Sequence, residues 1–199
     1  MPHDCYSLIS IWGNKKAIDE VEKWKSQVTQ RKEQNGAEKL RELLILIDSE
    51  KSIDLADCTL ADDGAMDVGI GQIGLVCRPG RPDQLEIVLT KALFNIDKNV
   101  VIYNDYQVED GSRGASLTMI LDGSDIKVFD SFYQYDPEEY DDRSVAAEDF
   151  DTYINDDIDQ FTMQIESINP RMAETIKKHR KNHNLTDIEK LLKEEFKKI

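Results

Sequence analysis

Three charged residues near the middle of the chain have the types and the order of a metal-dependent nuclease site. Asp110 is followed by Asp125-Ile126-Lys127, an acid, acid-x-Lys arrangement. In such sites two carboxylates hold Mg²⁺ and a lysine orients the attacking water. Asp125 and Lys127 would project from the same face of a strand, and Asp110 could approach from a neighbouring strand end. The order predicts a Mg²⁺-dependent nuclease, although Asp110-Gly111 is also typical of a turn.

Three further patterns resemble ligand-binding motifs, and in each of them a structural interpretation fits better. The stretch GIGQIG at 69–74 has the spacing of a dinucleotide-binding loop, but no helix start follows it, which favours a strand or loop. His179 and His183 could share a metal on one helix face, but the surrounding lysines would oppose a cation. Residues 155–166 have EF-hand spacing, but Gln160 stands where that loop needs glycine, and a continuous helix fits better. The preferred interpretation therefore has no catalytic residue, no metal and no cofactor.

The main chemical feature is the acidic segment 136–159, which holds eleven aspartates or glutamates against one arginine. Its net charge is −10, out of −15 for the whole chain of 199 residues. Duplex DNA carries one negative charge per ~1.7 Å of axis, and a helix rises about 1.5 Å per residue, so carboxylates along a helix face can approximate a row of phosphates. The segment predicts docking into a basic groove of a partner protein. The residues predicted to face that partner are Glu138, Glu139, Asp141, Asp142, Asp151, Asp156, Asp157 and Asp159.

Two other interpretations of the same charge stay open. The acidic residues can be the solvated face of a helix whose other side is packed. They can also be neutralised within the molecule, because residues 171–199 carry a net charge of +4. The lysines expected to contribute to this are Lys177, Lys178, Lys190 and Lys193.

The overall composition limits the classes of function. A net charge of −15 disfavours direct binding to nucleic acid or to an anionic membrane, since phosphate contacts need lysine and arginine. No apolar run approaches the ~18–20 residues that span a bilayer, and the start MPHDCYSLISIWGNKK lacks the basic and apolar regions of a signal peptide. Cys5, Cys58 and Cys77 are far apart and form no CxxC motif. They favour a reducing cytoplasm and argue against a disulfide framework.

The hydrophobic pattern predicts the elements that position these residues. Apolar residues recur at helical spacing over 18–28, 40–47 and 85–93. Strands are predicted over 5–13, 100–108, 115–121 and 125–135. Asp122-Gly123 predicts a two-residue hairpin between the last two strands, and hence an antiparallel meander. Residues 48–80 mix short apolar pieces with glycine and aspartate, which indicates loops around one or two strands.

A long amphipathic helix is predicted after the last strand. Its apolar stripe consists of Phe150, Ile154, Ile158, Phe161, Ile165 and Ile168, at intervals of three and four residues. Asn169-Pro170 ends this helix and starts another, which reaches about Lys181. We therefore predict an α+β chain in two parts, a core domain over 1–135 with an antiparallel sheet and a helical module over 136–199 that is acidic first and basic last.

Two stretches resemble the YubB-like ferredoxin-fold family. The start MPHDCYSLISIWGNKKAIDEVEKW resembles the family's opening of a polar-Cys-polar stretch, a strand ending in glycine and a helix, although His3-Asp4-Cys5 stands where the family has Asn-Trp-Cys. The run LEIVLTKALFNIDKNVVIYNDYQVEDGSRGASLTMILDGSDIKVFDSF resembles its second half of helix, extended segment, glycine-bearing turn and hairpin. The resemblance implies a ferredoxin-like sheet over about 1–135 and a place on a phage, plasmid or other mobile element. It brings no catalytic residues.

Together these observations predict a non-enzymatic interaction protein of a mobile element, acting in the cytoplasm of a host cell. It would inhibit a host nucleic-acid-binding or defence complex through its acidic surface. Its partner would be a host protein with a basic surface, without direct binding to nucleic acid or membrane, and an open sheet edge would permit a homodimer. The alternative is the Mg²⁺-dependent nuclease centred on Asp110, Asp125 and Lys127.

Overall fold

A computed structural model of the chain describes residues 4–29, 36–47, 58–60, 69–77, 83–123, 125–136 and 143–181. The strands are β1 (Cys5–Trp12), β2 (Cys58–Leu60), β3 (Gln72–Cys77), β4 (Val101–Val108), β5 (Arg113–Ile120) and β6 (Ile126–Tyr133). The helices are α1 (Lys15–Thr29), α2 (Gly36–Ile47), α3 (Asp83–Phe94), α4 (Arg143–Glu166) and α5 (Pro170–Arg180).

The strands form one six-stranded antiparallel sheet in the order β2-β3-β1-β4-β5-β6. β3 lies between β1 and β2, and β4 lies on the other side of β1. With α1 and α3 as the two connections, this is the path and strand order of a ferredoxin-like fold. β5 and β6 continue the sheet beyond β4 as a meander. The predicted α+β class with a ferredoxin-like antiparallel sheet and additional C-terminal helices is confirmed.

The first hydrophobic core lies between one face of the sheet and helices α1, α2 and α3. The strands contribute Ile9, Ile11, Ile73, Leu75 and Ile102, and Val100 joins them from the position just before β4. The helices contribute Val21, Trp24, Val28, Leu40, Leu43, Leu85, Leu89 and Leu93. These are the residues that recur at helical spacing in the sequence, so the apolar pattern predicted this core.

A polar network interrupts this first core where α3 crosses β4 and β5. The buried carboxylate of Glu86 accepts hydrogen bonds from Asn104 Nδ2 at 2.8 Å, Ser116 Oγ at 2.9 Å and Thr118 Oγ1 at 2.8 Å. A buried carboxylate is tolerated only when donors surround it. The network therefore fixes the position of α3 over the sheet, since the three donors lie on two different strands.

The second hydrophobic core lies on the opposite face of the sheet, under α4 and α5. Residues 101 and 103 of β4 belong to it whereas 100 and 102 belong to the first core, as the alternation of a strand requires. α4 lies over β5 and β6, and α5 lies over β1 and β4. The region predicted as a separate module over 136–199 therefore shares a core with the predicted domain over 1–135. Among the described residues, no helix is both long and apolar enough to cross a bilayer.

Two local predictions are wrong. Ile120 pairs with Ile126, so the β5–β6 connection spans the five residues 121–125 rather than a two-residue hairpin at Asp122-Gly123. The apolar stripe of α4 also ends one position early, because the helix ends at Glu166 and Ile168 lies beyond it, exposed over 58% of its surface. The spacing pattern could not show this, since Ile168 continues it in sequence.

Candidate partner-binding surface

Helix α4 carries the described half of the predicted acidic surface, and its packing decides which of its carboxylates face solvent. Phe150, Ile154, Ile158 and Ile165 are buried against the sheet. The Phe161 ring stacks on Phe129 of β6 with centroids 4.4 Å apart. Because this stripe faces inward, each remaining position of the helix has a defined direction.

Asp151 lies at the edge of the inward side and binds a buried arginine. The Arg113 side chain is 4% exposed, and its Nη atoms lie 2.9 Å from Asp151 Oδ1 and 3.1 Å from Asp105 Oδ2. Burial alone would lower the pKa of Arg113, but Asp105 and Asp151 more than offset burial and raise its pKa. Burial, reinforced by the charge of Asp105, raises the pKa of the neighbouring Tyr103 well above its ordinary value. Asp151 is thus an internal ion-pair partner that joins α4 to β4 and β5.

Asp157 and Asp159 also make contacts within the molecule. Asp157 Oδ2 accepts a hydrogen bond from Ser131 Oγ of β6 at 2.7 Å. Asp159 forms an ion pair with Arg180 of α5. Lys177 of α5 pairs with Glu166 at 2.7 Å. Helix α5 therefore neutralises part of the charge of α4, through Arg180 at Asp159 and through Lys177 at Glu166, which lies outside the acidic segment. Lys190 and Lys193 lie outside the described residues.

Asp156 is the predicted carboxylate of α4 that points away from the sheet and from α5. It belongs to a straight outward line at intervals of four, three, four and three residues, which we name the α4 ridge. Its members are Asp149, Tyr153, Asp156, Gln160 and Met163. Tyr153 is 46% exposed and Met163 is 68% exposed. The remaining predicted residues Glu138, Glu139, Asp141 and Asp142 lie outside the described residues.

The α4 ridge combines two carboxylates with a tyrosine and a methionine, which are residue types enriched in protein interfaces. The sequence analysis missed Tyr153 and Met163 because it followed only the charge. A signal was present for Met163, which lies on the side of the helix opposite the stripe from Phe150 to Ile165. Tyr153 lies on the flank, where its ring also packs edge-on against Tyr133 of β6 with centroids 5.4 Å apart. The resulting surface can make apolar contacts as well as ion pairs.

The three residues of the alternative nuclease site are not brought together. Asp110 lies in the β4–β5 turn, where its Oδ1 accepts from the Ser112 backbone N–H at 2.8 Å. Asp125 and Lys127 lie at the opposite end of β5, a strand of eight residues and therefore about 26 Å long. Two carboxylates that share a Mg²⁺ must both lie within about 2.1 Å of it. The antiparallel turn separates residues that the sequence order suggested could meet.

The other three motifs have structural roles in the described part of the chain. Residues 155–166 are continuous helix, and residues 69–74 form a turn that leads into β3 without a following helix start. His179 stacks near Trp12 with ring centroids 6.1 Å apart, and its pKa is lowered by burial and by the charge of Lys178. His183 lies outside the described residues. Over the described ranges, no group of three or more His, Cys, Asp or Glu side chains could hold a metal ion.

The cysteines depart from the expectation based on their spacing. Cys77 in β3 is disulfide-bonded, whereas Cys5 in β1 is buried and takes part in no disulfide. The Cα register partner of Cys77 on β2 is Cys58. The sequence does not show that Cys58 and Cys77 are neighbours, because the pairing of β2 with β3 is a feature of the tertiary structure. The expectation of no disulfide framework did not foresee this single disulfide bond.

Comparison with known proteins leaves the relationship of this chain undecided. No family model matches it, and no curated protein or solved structure matches it either. The resemblance to the YubB-like family therefore stays a prediction.

Proposed function

We propose that this protein is a non-enzymatic interaction protein that binds a basic partner protein through the α4 ridge. The observation that carries the proposal is the outward line of Asp149, Tyr153, Asp156 and Met163 on a helix whose other side is fixed to the sheet. A helix held in this way presents its side chains without further ordering of the backbone, which favours association.

The chemistry of the partner follows from that of the ridge. Carboxylates on the ridge, in a chain of net charge −15, attract a surface rich in lysine and arginine. Tyr153 and Met163 supply the apolar contact area that exposed ion pairs alone do not provide. A basic surface on a cellular protein is commonly a nucleic-acid site. Binding of the ridge there would block that site, and the resemblance to proteins of mobile elements favours a host nucleic-acid-binding or defence complex as the target.

The test compares two variants that remove the same charge from different places. Asp149→Asn with Asp156→Asn neutralises the ridge, and Asp122→Asn with Asp125→Asn neutralises two exposed carboxylates of the β5–β6 loop. Proteins captured from host lysate by the wild type would be identified and purified, and their binding to labelled nucleic acid measured with each variant present. We expect the wild type and the loop variant to inhibit that binding, and the ridge variant to need at least about tenfold more protein.

A third variant tests the apolar part of the ridge. Tyr153→Ala keeps the charge and should still weaken inhibition, because it removes an exposed aromatic side chain from the contact. Inhibition by the wild type should also weaken as ionic strength rises. Equal inhibition by the ridge and loop variants, or no inhibition by the wild type, would contradict the proposal.

A further inference from the structure

The most exposed large apolar side chain of the described residues is held on a tightly built turn. Ile70 is exposed over 82% of its surface. The buried Lys25 donates from Nζ to Gly69 O at 2.9 Å and to Glu22 Oε1 at 2.8 Å. Glu22 Oε1 in turn accepts from the Gly71 backbone N–H at 2.8 Å, and Gly71 has a φ of +70°, which favours glycine. An ion pair on α1 between the buried Lys25 and the partly exposed Glu22 thus fixes the backbone on both sides of an isoleucine that points into solvent.

An apolar groove lies on the other flank of the same helix. Its described lining residues are Gln27 of α1 and Glu42, Ile45 and Leu46 of α2, and its volume is about 220 Å³. Ile45 is 46% exposed and Leu46 is 39% exposed. A cavity of about 150 Å³ accommodates a benzene molecule, so the α1–α2 groove can receive a branched aliphatic side chain.

The two helices that border this groove carry little net charge. Helix α1 carries four lysines against three acidic residues, and α2 carries one lysine and one arginine against two glutamates. The two helices together have a net charge of +1, in a chain of −15. A strongly basic partner would find little attraction here. Helices α1 and α2 of two copies, in contrast, can approach each other without strong repulsion between their own charges.

We propose that this surface binds a second copy of the chain, with Ile70 of each copy inserted in the α1–α2 groove of the other. The arrangement is isologous, because each copy supplies one isoleucine and one groove and a two-fold axis satisfies both contacts at once. This dimer is independent of the α4 ridge, which lies on the other face of the sheet.

The experiment measures the monomer–dimer equilibrium of the full chain by sedimentation velocity across a roughly hundredfold range of concentration. Each substitution is present in both copies of a homodimer, so each one removes both contacts. Ile70→Asp changes the two inserted side chains, and Leu46→Asp changes the two grooves. Each should raise the dimer dissociation constant by about tenfold or more, since a charge replaces a buried aliphatic group. Ile45→Asp provides a second groove variant, and circular dichroism identifies any variant that does not fold.

Mixing the two variants gives the decisive result. In a dimer of Ile70→Asp with Leu46→Asp, the intact isoleucine of one copy meets the intact groove of the other, so one of the two contacts is restored. The mixture should therefore dimerise at lower concentration than either variant alone. Ile168→Asp, which changes an exposed isoleucine elsewhere, should keep the wild-type dissociation constant. A wild type that stays monomeric, a mixture no tighter than its components, or an equal effect of Ile168→Asp would overturn the proposal.

Discussion

At the scale of single residues, Glu86 shows how a buried carboxylate can be structural rather than catalytic. Its two oxygens accept from three side chains on β4 and β5, and it lies within the core. Composition alone gives no reason to separate it from the many exposed glutamates of the chain. Its role depends on the donors that the sheet brings beneath α3.

We expect Glu86→Ala to lower the free energy of unfolding by about 2–4 kcal/mol, because it leaves buried donors without acceptors. Glu86→Gln keeps one side-chain oxygen and should lower it by only about 1–2 kcal/mol. Urea unfolding of the two variants and the wild type measures both values. A change of less than about 0.5 kcal/mol for Glu86→Ala would mean that the network does not stabilise the fold.

His179 should make stability depend on pH. Its pKa is lowered from the ordinary 6.5, chiefly by burial and then by Lys178, with the Gly13 backbone and Asp97 opposing the change. The unfolded chain therefore binds the proton more readily than the folded one. The contribution of His179 to stability is fully present above pH 6.5, the pKa of the unfolded chain. It is lost as the pH falls from 6.5 through the lower pKa of the folded protein.

His179→Phe should remove this part of the dependence while keeping an aromatic ring beside Trp12. We expect the melting temperature of the wild type to fall more steeply than that of the variant between roughly pH 7 and pH 5. The comparison between the two proteins cancels the contribution of the carboxylates they share. Parallel curves would show that His179 does not titrate differently on folding.

At the scale of elements, the two sides of α4 should respond differently to the same change of charge. Asp151 is paired with the buried Arg113, whereas Asp156 is exposed on the α4 ridge. Asp151→Asn should lower the free energy of unfolding by about 2 kcal/mol or more, since Arg113 loses a charged partner in a buried site. Asp156→Asn should change it by less than about 0.5 kcal/mol.

Hydrogen exchange measured alongside chemical unfolding would locate the effect of each substitution. Loss of protection in Asp151→Asn should concentrate in α4 and the adjoining part of β5, because the ion pair joins those elements. If Asp156→Asn destabilised the protein as much as Asp151→Asn, the assignment of inward and outward sides of α4 would be wrong.

At the scale of the whole molecule, the cysteines provide a direct check of the fold and of its environment. The chain has three cysteines, and Cys77 is disulfide-bonded. A disulfide uses two thiols, so the denatured protein purified without reductant should show one free thiol with Ellman's reagent, and three after reduction. Three thiols before reduction would show that the bond does not form in the expressed protein, as a reducing cytoplasm would favour.

The dimer proposed through Ile70 would place two copies of the α4 ridge on one assembly. Each ridge lies on the face of the sheet opposite the α1–α2 surface. A dimer would therefore present two acidic sites, each able to bind a basic partner protein. Two such sites raise the apparent affinity for a target that carries the matching basic surface more than once.

The sequence by itself determined the class of fold and most of the elements. Helical periodicity identified α1 through α5, and alternation identified β1, β4, β5 and β6, because burial on one side leaves a period that can be read locally. The acidic character of the segment 136–159 was also evident, since charge is a property of composition. Asn169-Pro170 before α5 acts as the local signal predicts, with Asn169 Oδ1 accepting from the Met172 backbone N–H at 3.1 Å.

Only the tertiary structure decided which charged residues are surface and which are interior. Asp151 and Asp157 look like Asp156 in the sequence, but their partners Arg113 and Ser131 come from strands far along the chain. The separation of Asp110 from Asp125, and the pairing of β2 with β3 beside Cys77, likewise depend on strand direction and register. These are long-range properties that no local pattern encodes, and they determine which side chains, such as Asp156 and Ile70, are exposed to solvent.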